Sequence, residues 1–190
     1  DAAQPGQQQR HHQPGALPAR ANIAALKQLG CTDIIAVSAV GSLRAEFRPG
    51  DMVVLDQVID RTTGREASFF GTGCVAHVSL ADPFCAVLSA ACRDALAQGG
   101  AVVHAAGTYL AMEGPQFSTR AESRMYRQWG ADVIGMTAMP EARLAREAEL
   151  CYASVAMVTD YDCWHDGHGA VDVAQVLAVL ASNAGTAKAM

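Results

Sequence analysis

"ARANIAALKQLGCTDIIAVSAVGSL", residues 19–43, changes its period halfway along. From Ala19 to Leu29 the apolar residues recur at helical spacing, and Gly30 follows as a natural C′ residue. Residues 33–40 are then a continuous apolar run of strand length, so the stretch reads as helix, turn, buried strand. A strand that is apolar on both faces belongs inside a sheet covered on both sides.

The same alternation extends outward from this stretch. "PGDMVVLDQVID" (49–60) predicts one strand opened by a Pro-Gly turn. "ADPFCAVLSAACRDALAQGG" (81–100) predicts an amphipathic helix, and "AVVHAAGTYLAM" (101–112) the next strand. Thr119 and Glu122 are spaced as a capping box for a helix that stops at Gly130, and Pro140 stands near N1 of the helix after strand "ADVIGM" (131–136). "CYASVAMVTD" (151–160) is the last strand and residues 173–190 the last helix. The fold class is therefore α/β: a mixed, mostly parallel central sheet flanked by helices. Residues 1–18, rich in Gln, Pro, His and Gly, read as a poorly structured segment, and 19–190 as one domain.

Composition narrows the function. With 51% hydrophobic and 17% charged residues the chain is globular. Its net charge of −5, without a Lys or Arg run, provides no footprint for nucleic acid or an anionic membrane, so a small-molecule partner is expected. No apolar stretch approaches membrane length, and residues 1–18 lack a signal-peptide core, which points to the cytoplasm. Six scattered cysteines without a C-x-x-C read as reduced.

In such sheets ligands sit beyond the carboxyl ends of the strands, and "SAVGSL" (38–43), "GMTAMPE" (135–141) and "TDYDCWH" (159–165) all fall there. Ser38 and the following backbone could hold an anion, although a strand-to-loop turn is the default local reading. Thr137 could cap the next helix, again the default, or bind an anion at its N-terminus. Phe117 stands before a helix as a hydrophobic staple, the local favourite, or as a pocket wall. Asp160 and Asp162, at i and i+2, would point to one side of an extended chain, or else accept backbone N–H groups in a turn. Cys163, His165 and His168 are metal-type ligands, but their spacing matches no zinc signature, and no metal is expected.

Taken together, "RANIAALKQLGCTDIIAVSAVGSL", "RPGDMVVLDQVIDRT", "EGPQFSTRAESRMYRQWGADVIGMT" and "VTDYDCWH" resemble the trimeric purine nucleoside phosphorylase family, in particular its methylthioadenosine phosphorylase branch. The resemblance runs from about residue 20 to the 170s. It implies a pentosyltransferase that splits a 5′-methylthionucleoside with inorganic phosphate as co-substrate, without cofactor, as a homotrimer. It also implies roles: Asp160 as the acid at purine N7, Asp162 facing the 6-amino group, Met136 under the ribose, Phe117 on the base and Thr159 beside the substrate. Ser38, Ala39 and Thr137, with Arg10 and His11, would contact phosphate. His77 would serve a neighbouring subunit's 5′ pocket.

Three departures go with the resemblance. The family's first strand and Gly-rich phosphate loop are expected before residue 1, and its closing helix after residue 190. Gly135 stands where the branch usually has Asn, and "GMTAMPEA" resembles the methylthioinosine branch. A 6-oxo base is thus one alternative. A purine- or nucleoside-binding fragment with impaired catalysis is another.

Overall fold

The structure is a computed structural model that describes residues 13–165 together with the single positions 179 and 185. The helix expected at residues 173–190, and Arg10, His11 and His168, lie outside the described residues. In chain order the elements are α1 (Ala19–Gln28), β1 (Asp33–Ser42), β2 (Met52–Val54), β3 (Gln57–Arg61), α2 (Ala86–Gln98), β4 (Val103–His104), β5 (Thr108–Met112), α3 (Arg120–Gln128), β6 (Val133–Gly135), α4 (Ala138–Glu147) and β7 (Cys151–Asp160). One seven-stranded sheet has the order β3-β5-β6-β1-β7-β2-β4. Its pairings are parallel except β1 with β6 and β2 with β7, which makes the sheet mixed and mostly parallel, as expected.

Two expected strands each become two. Residues 49–60 break at Leu55–Asp56, sending β2 against β7 and β3 to the opposite edge against β5. Residues 101–112 break alongside them, so β4 pairs with β2 and β5 with β3. The breaks lock together because Gly107 N–H donates to Asp56 Oδ1 at 3.0 Å. Gly107 is needed there, since a Cβ would sit 2.6 Å from Val53 Cγ1. An apolar run carries no trace of a crossing between sheet edges, which is why periodicity merged the halves.

Strand β7 is buried on both faces, and its side chains alternate between them. Tyr152, Ala156 and Val158 join one apolar cluster with Ala142, Leu144 and Ala145 of α4 and Ile23 of α1, while Ala153, Val155 and Met157 face Cys92 and Leu96 of α2. Helix α3 covers a third cluster through Tyr126, against Leu110 and Ile134. Coverage is incomplete on β1, where Ile35 and Val37 remain 45% and 40% exposed.

Local signals behave unevenly. The capping box is present, with Thr119 Oγ1 accepting from Glu122 N–H and Glu122 Oε2 from Thr119 N–H. Met139 is extended, as a residue before proline prefers, so regular α4 starts at Pro140. Within the segment expected to be unstructured, Pro14–Ala16 forms a 3-10 turn, helped by the fixed φ of Pro14. The cysteine reading needs correction: Cys85 and Cys151 form a disulfide, while Cys31, Cys74, Cys92 and Cys163 are free. A separation of 66 residues hides the pair in sequence, but Cys85 N–H donates to Tyr152 O at 2.8 Å, which seats the start of α2 beside the start of β7. No helix among the described residues is long and apolar enough to cross a membrane.

Candidate active site

The ends of β1, β5, β6 and β7 converge on a cavity of about 280 Å³, lined by Ala39, Val40, Gly41, Met112, Phe117, Ile134, Gly135, Met136, Thr137, Thr159, Asp160 and Asp162, with Pro14 at its rim. A second hollow of about 270 Å³ adjoins it through Pro14, Met136 and Thr137, and its wall includes Arg65 and Glu141. Thus Ala39, Phe117, Met136, Thr137, Thr159, Asp160 and Asp162, singled out in sequence, are brought together. Ser38 and His77 are not. Ser38 Oγ is buried near Tyr109 without a hydrogen bond, and His77 is exposed on the loop between β3 and α2.

Asp160 ends β7 and is held from both sides. Its Oδ1 accepts Asp162 N–H at 2.8 Å, and its Oδ2 lies 2.8 Å from Thr159 Oγ1. That hydroxyl is also 3.1 Å from Val40 O. A hydroxyl has one proton to give, so Thr159 is shared between two acceptors, Val40 O and Asp160 Oδ2. Burial pushes the Asp160 carboxyl above its ordinary pKa, against the opposing hydrogen bonds from Thr159 and Asp162. Close approach requires Gly41, where a Cβ would meet Asp160 Oδ1 at 3.0 Å and Asp162 Cβ at 3.3 Å.

Asp162 is reached through a turn, since its φ of 48° takes the chain out of extended geometry into a 3-10 turn over Asp162–Trp164. The pair therefore combines both sequence readings: an aspartate accepts a backbone N–H, and both carboxylates line one cavity. Asp162 is 4% exposed and its Oδ2 has no hydrogen bond. Burial raises its pKa. The Ser123 hydroxyl, close enough to lower it again, makes no bond of good geometry, and the Asp160 charge adds a smaller upward push. Trp164 anchors this turn by donating from Nε1 to Ser42 O at 2.7 Å, with the Arg127 guanidinium 3.6 Å above its ring. Cys163 donates to Ser118 O, and His165 stacks on Tyr161, so both face the turn's own neighbours.

Two local defaults give way. Thr137 holds the N-cap position of α4 but makes no side-chain cap bond, leaving its hydroxyl at the junction of the two hollows. Its N–H donates instead to Tyr109 Oη at 3.1 Å. The staple position before Thr119 is occupied by Ser118, and Phe117, 47% exposed, stands on the cavity wall. Sequence reasoning passed over Arg65 and Tyr109, which reach the site from β-strand and loop positions that periodicity reads only as core or turn.

The sequence profile described as the phosphorylase superfamily matches residues 10–190. S-methyl-5′-thioadenosine phosphorylase of Cereibacter sphaeroides is 62% identical over 179 residues, covering 94% of this chain and 62% of that protein. The enzyme of the same name from Koribacter versatilis is 58% identical over 171 residues, 90% of this chain and 59% of its own. The chain thus spans about three fifths of the length of these curated relatives. Among solved structures, methylthioadenosine phosphorylase of Schistosoma mansoni in complex with adenine superposes with a TM-score of 0.89 at 38% identity, over 93% of this chain and 69% of that one. A methylthioadenosine phosphorylase from an Antarctic soil metagenomic library gives 0.88 at 51% identity, over 93% and 63%.

Proposed function

The chain belongs to the phosphorylase superfamily, and from that premise we propose that the protein cleaves S-methyl-5′-thioadenosine with inorganic phosphate, giving adenine and 5-methylthioribose 1-phosphate. The observation that carries this reading is Asp160 and Asp162 together on the wall of one apolar cavity, with burial raising the pKa of the Asp160 carboxyl.

Glycosidic cleavage passes through an oxocarbenium-like sugar and leaves negative charge on the purine, which a positioned acid at N7 relieves. Asp160 transfers its proton to N7 as the C1′–N9 bond breaks, a phosphate oxygen bonds to C1′, and the carboxylate regains a proton from water. Asp162 accepts from the 6-amino group through its unpartnered Oδ2. Met136 lies under the ribose and Phe117 beside the base. Thr137 and the backbone at Ala39 hold phosphate, whose charge also steadies the cationic sugar. Arg10 and His11 complete that anion site in our reading, and Ser38 contributes through its backbone. The reaction uses no cofactor. His77, exposed on its loop, serves a neighbouring protomer of a homotrimer. We place the enzyme in the cytoplasm, where the Cys85–Cys151 bond would meet a reducing pool.

One observation favours a second reading, a 6-oxo base. Burial raises the Asp162 pKa, and a protonated Asp162 donates to a carbonyl where an ionised one repels it. Incubation with methylthioadenosine or methylthioinosine, each with and without phosphate, separates the two by the base released. Release that ignores phosphate would sink both.

A further inference from the structure

Arg65 is 5% exposed, yet it lies in the turn after β3 with every guanidinium donor in use. Nε sits 3.3 Å from both Glu113 carboxylate oxygens. One terminal nitrogen donates to Met136 O and Met139 O, each at 2.6 Å. The other donates to Met112 O at 3.1 Å and Glu113 O at 2.7 Å. An arginine has five N–H groups, and here four go to carbonyls at the end of β5 and at the β6–α4 junction while the fifth meets a carboxylate.

Those segments are the ones that form the cavity. Residues 112–114 lead from β5 to Phe117, and residues 136–139 lead from β6 into α4. They touch at Gly114, where a Cβ would lie 2.5 Å from Met136 Sδ. The β5–β6 ladder ends at Ala111 and Gly135, and beyond it, among the described residues, Arg65 is the side chain that hydrogen-bonds both segments. A planar fork can serve both sides at once, whereas an ammonium with three donors cannot.

We propose that Arg65 is a positioning residue that clamps the Met136–Met139 loop to the Met112–Gly114 loop and so sets where Met136 and Thr137 stand relative to Asp160. Its role in turnover rests on the phosphorolysis proposed above, but its role in placement does not. Misplacement of bound groups by about 1 Å costs on the order of 10²-fold in rate, so the clamp is felt in kcat more than in either KM.

The test uses the full chain with methyl-labelled methionines, of which there are seven. In Arg65→Lys the Met112, Met136 and Met139 methyl signals should shift while Met52 and Met157, in the cluster under α2, stay in place. Arg65→Ala should lose about 10²-fold in kcat with both KM values within about threefold, and millimolar guanidinium, but not ammonium, should restore part of it. Unmoved signals, signals that all move together, or a rate loss that guanidinium leaves unrepaired would overturn the clamp. If the unaltered chain releases no base with phosphate, the phosphorolysis reading falls instead, and the methyl spectra still decide the clamp. If Arg65→Ala does not fold, Arg65→Lys carries the decision alone.

Discussion

Gly135→Ala is the most exposing single change at this site. A Cβ at residue 135 would overlap the Tyr109 hydroxyl and come within 2.8 Å of its Cζ and 3.1 Å of its Cε2. Tyr109 is fully buried, and its Oη accepts the Thr137 N–H, so the ring has nowhere to withdraw without breaking that bond. Overpacking of this kind costs about 1–3 kcal/mol. Leaving the Thr137 donor unsatisfied adds about 1–3 kcal/mol if the ring does move. A total near 3 kcal/mol corresponds to a Tm lower by roughly 6–12 °C for a chain of this size. Tyr109→Val should also destabilise, by about 3–5 kcal/mol on the scale for truncating a buried aromatic. The double variant should cost less than the sum by at least about 1 kcal/mol, because the alanine methyl then enters space the ring has vacated. Calorimetry or urea unfolding of the four proteins measures the cycle. Additive costs would refute the argument that Gly135 is glycine on account of Tyr109.

Other expectations follow from single groups. Asp160→Asn should lower kcat by about 10²-fold or more, measured as phosphate-dependent base release. The same variant should gain stability relative to the parent as pH rises: burial raises the folded pKa of Asp160, so the folded state binds the proton more tightly, and the parent loses stability between the ordinary carboxyl range and that raised value. A parent-minus-variant difference that is flat with pH would contradict this. If a protonated Asp162 admits a 6-oxo base, the rate ratio of methylthioinosine to methylthioadenosine should fall as pH rises; a ratio that climbs removes the second reading. Thr137→Ala should weaken phosphate more than nucleoside, since its hydroxyl caps nothing, whereas equal losses would return it to a structural role.

Much of the molecule follows from local chemistry written in order along the chain. The 3.6-residue spacing before Gly30, the apolar runs of β1 and β7, and the Thr119–Glu122 box each depend on neighbours within a turn or a strand, so they read directly and they held. The grouping of Asp160, Asp162, Met136 and Thr137 was also legible, because sheets of this class gather strand ends at one rim. What tertiary structure alone decided are relations between residues far apart. The splitting of two apolar runs required Asp56 and Gly107 to meet across 51 positions. The Cys85–Cys151 bond required β7 to arrive beside α2. Arg65 carries no local signal of its role, which appears only when folding places five acceptor groups around it. Asp160 was an aspartate like its neighbours until burial raised its pKa and Thr159 and the Asp162 N–H came to hold its two oxygens. Desolvation and long-range hydrogen bonding are properties of the packed chain, and periodicity carries no record of them.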